Sequence, residues 1–156
     1  TESLLPKSSK KGSSSALEVI CVGTDEHPLD ELIRLLDTLQ IKVAGSVIAS
    51  TRKISPATYI TSGKLDAVKD LLEKTGADAV VVDVELSPNQ LRNIEAHLDG
   101  KPTLDRPGII LEIFSQHART KEAKTQVELA KLEYVLPRLA HLWSHFERQR
   151  GGGVGN

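Results

Sequence analysis

Residues 77–98, ADAVVVDVELSPNQLRNIEAHL, decide the fold class. The opening ADAVVVDVEL, 77–86, reads as a continuous, β-branched strand, apolar on both faces until Asp83, the pattern of a strand buried on both faces. Ser87-Pro88-Asn89-Gln90 then supplies an N-cap serine, a proline at the first helical position and a glutamine at the third. That is a capping box, and it opens a helix running through Leu98. A doubly buried strand passing through a short turn into a capped helix is the repeating unit of a parallel sheet with helices on its faces.

The same alternation extends upstream. LEVICVG at 17–23 is a short apolar run closed by glycine and reads as a buried strand. A helix follows, with Pro28 suited to its first turn and Leu29, Leu32, Ile33, Leu35, Leu36 and Leu39 as its apolar face. VAGSVIAST at 43–51 is strand-like, and the loop RKISPATYIT comes after it. Residues 64–74 give a second helix with Leu65, Val68, Leu71 and Leu72 inward and Gly76 where a helix ends. A short strand at 102–105 leads into the carboxy-terminal helices. The class predicted is α/β: a small, mostly parallel sheet covered by helices, followed by a long carboxy-terminal helix.

The carboxy-terminal third reads as two helices. One covers 108–118, apolar at Ile109, Ile110, Ile113 and Phe114. Thr120 caps a second that continues to Arg150, about 45 Å if unbroken. Pro137 lacks an amide proton and its ring crowds the carbonyl of Glu133, which predicts a kink there. Leu129, Leu132, Leu136, Leu139, Trp143 and Phe146 recur at alternating three- and four-residue spacing, the seam of a helical pair. The seam needs a partner: the domain's own surface, a second copy, or residues further along the chain. The organisation expected is a disordered, basic and Ser-rich tail at 1–16, an α/β subdomain at 17–106, and a helical subdomain at 107–156 that forms half of a hairpin and ends in a Gly-rich loop.

The chain has 156 residues, of which 39% are hydrophobic and 26% charged, the composition of a globular protein with one core. No apolar run approaches the ~20 residues of a membrane span. A single cysteine, Cys21, excludes an internal disulfide framework and suits a reducing cytoplasm, the expected location. The net charge of −1 conceals an asymmetry. Residues 17–104 carry fourteen acidic against nine basic side chains, whereas 113–150 carry seven basic against four acidic. A basic helix ending in Arg148-Gln149-Arg150 fits a phosphate-contacting element or a solvated helix face of mixed charge.

Few residues offer chemistry. Ser62-Gly63-Lys64 is followed by Leu65 and lacks the preceding glycine of GxxxxGK[ST], so no Walker A loop is present and the chain alone should not hydrolyse GTP. The same three residues present amides and an amine to a phosphate at a helix start, or simply begin a helix. Asp83 and Glu85 sit where an apolar strand ends, the region where ligands gather in open α/β sheets; they also suit a solvated strand end and a helix amino terminus. His141 and His145 share a helix face, but no cysteine or glutamate completes a zinc set, and no metal site is predicted. Cys21 reads as a small core residue, and no nucleophile elbow occurs. Asp105 with Arg106, and Arg119 with Glu122, are candidate ion pairs between the sheet and the helices.

In combination, several segments carry a family resemblance: TYITSGKLD at 58–66, DVELSPNQLRNIE at 83–95, and then DR, an IF segment, ART-x-E, QVELA-x-L-x-Y and PRL in order from Asp105 to the Gly-rich end. The chain after residue 16 resembles the amino-terminal domain of the HflX family of translational GTPases. It departs from that pattern at Thr61-Ser62-Gly63, Pro107, His117 and Ala123. The resemblance implies a domain that precedes a GTPase domain and docks on the large ribosomal subunit and its RNA in ribosome splitting, rescue or recycling. It also implies a Gly-rich segment joining two helices of a coiled-coil hairpin, inside which this chain ends. No cofactor is expected within these residues; GTP and Mg²⁺ are expected for the full-length relative, whose GTPase domain is a partner in its own right. At the tip, Arg148 and Arg150 offer phosphate contacts and stacking on bases, and Gly151, Gly152 and Gly153 let the backbone approach RNA. Arg138, directly after Pro137, is either structural or a further RNA contact. The alternative function is a nucleotide- or small-ligand-binding α/β domain using Ser62, Gly63, Lys64, Asp83 and Glu85. Self-association through Leu132, Leu136, Leu139, Trp143 and Phe146 is a third expectation.

Overall fold

The computed structural model describes residues 3–7 and 16–151, with side chains up to Arg138. Its elements are β1 (Glu18–Thr24), α1 (Asp30–Thr38), β2 (Lys42–Ala49), α2 (Ser62–Thr75), β3 (Ala79–Val82), α3 (Pro88–His97), β4 (Thr103–Asp105), α4 (Arg106–His117) and α5 (Lys121–Gly151). Every strand pair is parallel, and the sheet order is β2-β1-β3-β4.

Strand alternation divides the core into two layers. Ile20 and Val22 of β1 and Val80 and Val82 of β3 face Leu65, Val68 and Leu72 of α2 and Leu91, Ile94 and Leu98 of the α3 region. Val19, Cys21, Ala79 and Val81 face the other way, onto Leu32 and Leu36 of α1 and Ile109 of α4. Both faces of β1 and β3 are therefore dry, which is why neither strand alternates polar and apolar residues. The sheet is α/β with helices on both faces, as the alternation predicts.

Local chemistry sets the element ends. Ser87 Oγ accepts the Gln90 amide at 3.1 Å while the Gln90 side chain accepts the Ser87 amide at 3.0 Å, the predicted capping box. Gly76 closes α2 at φ 66°, a left-handed position that a Cβ would strain. Three expectations need correction. The strand ends at Val82 rather than reaching Leu86, because Asp83 turns into the helix connection. Ile33 is exposed, since a 100° step per residue puts it beside, not under, Leu32 and Leu36. Phe114 is also exposed, because α4 buries the face carrying Ile109 and Glu112.

Residues 3–7, placed in the tail by the sequence, lie against the body. The Leu4 amide and Ser3 Oγ both donate to Glu112, and Leu4 and Leu5 pack on the α1/α4 layer. The helical conformation of α5 continues through Pro137. Its described part leans on α4 and α3 and leaves Leu129, Leu132 and Leu136 each more than half exposed.

Candidate functional site

The groups that position α5 meet at Asp105, which ends β4 and caps α4. Its carboxylate is fully buried. Oδ2 accepts the Leu86 amide at 3.0 Å, and Oδ1 accepts the Gly108 amide at 3.3 Å and the Tyr134 hydroxyl at 2.6 Å. Arg138 Nη2 lies 3.8 Å from Oδ2, and the Arg138 guanidinium stacks 3.4 Å over the Tyr134 ring. A buried carboxylate persists only when its lone pairs are filled and its charge is answered, and these four groups do both. Burial, then the Asp105 hydrogen bond, pushes the Tyr134 hydroxyl well above its ordinary pKa, so it stays a donor. Gly108 is needed for this contact, because a Cβ there would come within 2.7 Å of the Tyr134 hydroxyl.

Arg138 thus points inward. It also donates to the Tyr134 backbone carbonyl, in the turn where Pro137 has removed an amide. The anticipated Asp105–Arg106 pair is replaced by Asp105–Arg138, because residue 105 faces α5 while residue 106 faces the strand ends.

At those strand ends, the change of strand order between β1 and β3 makes the crevice where an α/β sheet usually admits a ligand. Arg106 fills it, donating to buried Asp83 at 2.9 Å and to Glu31 of α1 at 2.5 Å. Asp83 is therefore occupied internally, while Glu85 is exposed beside Arg106 and Pro107. Cys21 is buried, and its thiol is pushed up to about 12, first by burial and then by Asp83, which leaves it unreactive.

Helix α2 begins at Ser62 with Thr61 extended before it and no side-chain cap. Ser62, Gly63 and Lys64 are all exposed. Ser62 lines a hollow of about 620 Å³ with Arg52, Lys53, Thr58 and His97. A Cβ on Gly63 would meet nothing within 4 Å, so no other part of the protein packs on this turn. The structure brings Ser62 and Asp83 to the same end of the sheet but not into one cluster. Among the described residues, no group of His, Cys, Asp and Glu side chains could hold a metal, and no helix is long and apolar enough to cross a membrane.

The proposed RNA-contacting tip lies at the limit of the description. Backbone helix reaches Gly151, but the side chains of Arg148 and Arg150, and Gly152 and Gly153 altogether, fall outside the described residues, as do those of His141, His145, Leu139, Trp143 and Phe146.

Residues 26–115, more than half of the chain, match the family described as GTP-binding GTPase N-terminal, and residues 117–156 match its GTP-binding GTPase Middle Region. GTPase HflX of Magnetococcus marinus is 45% identical over 80% of this chain and 28% of its own length. GTPase HflX of Lacrimispora saccharolytica is 45% identical over 89% of this chain and 33% of its own. The chain belongs to the HflX family.

This HflX-family chain spans about a third or less of the length of these relatives. Its fold recurs in a GTP-binding protein from the hyperthermophilic archaeon Sulfolobus solfataricus in complex with GDP, at a TM-score of 0.65 and 30% identity over 86% of this chain and 42% of that one. The G235S variant of SsGBP superposes at a TM-score of 0.67, also at 30% identity, over 81% of this chain and 41% of that one.

Sequence reading of this HflX-family region missed three groups that hold α5. Tyr134 stood inside the QVELA-x-L-x-Y segment without a role. The buried Glu112–Lys131 pair at 3.4 Å, joining α4 to α5, likewise had no role in that reading. A lysine and a glutamate on the inward faces of two consecutive helices were the available signal.

Proposed function

We propose that this chain is the ribosome-docking, amino-terminal region of an HflX-type GTPase that acts in ribosome splitting, rescue or recycling. Residues 17–106 form its α/β subdomain, and 107–156 a helical subdomain that supplies half of a hairpin. The observation that carries the reading is α5: 31 residues long, anchored near its middle by Tyr134 and Arg138, exposing three leucines and running into a Gly-rich sequence. A helix held this way delivers its far end at a fixed direction from the body. Arg148, Arg150 and Gly151 to Gly153 are the proposed contacts with large-subunit RNA, and Arg138 serves instead to position the helix that carries them. Leu129, Leu132 and Leu136 await the partner strand of the hairpin, or a second copy in its absence.

In the whole protein, GTP and Mg²⁺ would act in a separate GTPase domain, and this chain alone turns over no GTP. Turnover that survives purification and disappears with Lys64→Ala would contradict that. The alternative, a nucleotide or small-ligand site at the strand ends, has less support, because Arg106 already engages Asp83 and the α2 start is open; thermal stabilisation by ATP or GTP would revive it.

The docking test is Arg148→Ala with Arg150→Ala. The double variant should bind large subunits more weakly and with a shallower salt dependence, by roughly one unit of slope per lost phosphate contact. Equal binding across a salt titration would move the docking surface elsewhere.

A further inference from the structure

Glu112 lies on the inward face of α4 and is only 3% exposed, a position where a carboxylate needs donors. They arrive from two directions. Lys131 of α5 stands 3.4 Å from Oε1. On the other side the Leu4 amide donates to Oε1 at 2.5 Å and the Ser3 hydroxyl donates to Oε2 at 3.1 Å. Ser3 Oγ also accepts the Leu5 amide at 3.1 Å, a tight turn that aims two donors at one carboxylate.

The leucines seat this turn. Leu4 and Leu5 pack on the layer that holds Leu32, Leu36, Leu104 and Ile109. Leu4 also closes one side of a cleft of about 330 Å³, whose other walls include Leu104 of β4 and Tyr134 and Val135 of α5. Residues 3–7 form no helix or strand, yet they touch the sheet edge, α4 and α5 at once.

Because Glu112 is shared, the segment and α5 are coupled. With the segment in place, the Glu112–Lys131 pair is dry. With it gone, water takes the place of its donors and the pair becomes an exposed one, which contributes little. The direction of α5 depends on that pair. Tyr134 and Arg138 tie the helix to Asp105, and a single tie acts as a pivot. Lys131 lies three residues earlier, about 4.5 Å along the axis, and supplies the second point that sets the angle.

We propose that residues 3–7 are a strap for the long helix. Seated, they close the Glu112–Lys131 pair and fix the direction of α5; released, they leave α5 to pivot about Asp105. The strap acts within this chain, whatever α5 docks on, so its test needs no ribosome.

Amide residual dipolar couplings of the intact chain in a dilute aligning medium report the orientation of residues 121–138 relative to the strands. In the parent, one alignment tensor should fit both. Leu4→Pro removes the donating amide and keeps an apolar side chain, while Leu4→Ser with Leu5→Ser removes the apolar seat. Ser3→Asp, at an exposed position, sets a second negative charge against Glu112. Each change should leave the strand couplings as they are and shrink those of α5, so that one tensor no longer fits. Lys131→Met should loosen α5 to the same extent with the segment still seated, and Leu4→Pro should then add nothing. The strap is overturned if one tensor fits strands and α5 in all three segment variants, or if Leu4→Pro loosens α5 further on top of Lys131→Met.

Discussion

The sheet body and the long helix solve the same problem in opposite ways. In the body, β1 and β3 bury both faces, Arg106 partners the buried Asp83 at the strand ends, and α3 and α4 are capped by Ser87 and Asp105. In α5, the described stretch from residue 121 to 138 buries little besides Lys131 and leaves Leu129, Leu132 and Leu136 in the open. The helix is held by polar anchors, Asp105 with Tyr134 and Arg138, and Glu112 with Lys131. Apolar burial is nondirectional and makes a body stable; hydrogen-bonded anchors fix a direction, which is what a docking arm requires.

The sharpest way to break this comparison is to remove the anchor. Asp105→Ala leaves the Leu86 and Gly108 amides, the Tyr134 hydroxyl and the Arg138 charge without their acceptor. It should destabilise by about 3–5 kcal/mol, seen as a lower urea midpoint. Next come paired truncations. Leu65→Ala in the body should cost about 2–5 kcal/mol, whereas Leu132→Ala on the helix should stay within about 0.5 kcal/mol. Equal costs would mean that the leucine seam is already covered.

A smaller effect follows from Cys21. Its thiol is raised in the folded chain to about 12 from an ordinary 9.0. The folded pKa lies above the unfolded one, so the contribution to stability is full below about pH 9 and is lost as pH rises toward 12. Urea midpoints measured from pH 8 to pH 10.5 should therefore fall, and Cys21→Ala should flatten the slope, with Tyr134 responsible for what remains. Smallest in stability, but visible in mass, is the triple change of Leu129, Leu132 and Leu136 to serine. The urea midpoint should hardly move, while any concentration-dependent mass of the parent disappears.

Much of this was legible in the sequence because it is local. The capping box at Ser87 and Gln90, the left-handed Gly76, the doubly apolar strands and the leucine spacing each fall within a few neighbouring positions. The anchors were not legible, because Asp105 finds Tyr134 and Arg138 about thirty residues further on, and no periodicity records such a pairing. Arg106 was misassigned for the same reason: its partners, Glu31 and Asp83, are distant in sequence and are brought together only by the strand order. Ile33 and Phe114 were misplaced because an apolar residue on a helix shoulder looks like one on its buried face.

The central claim, that this chain is a docking arm fixed to a self-sufficient body, is tested most directly by sedimenting it with separated ribosomal subunits over a range of salt. The account predicts co-sedimentation with the large subunit, absent with the small one, weakening as salt rises. Equal recovery with both subunits, or none with either at low salt, would contradict it.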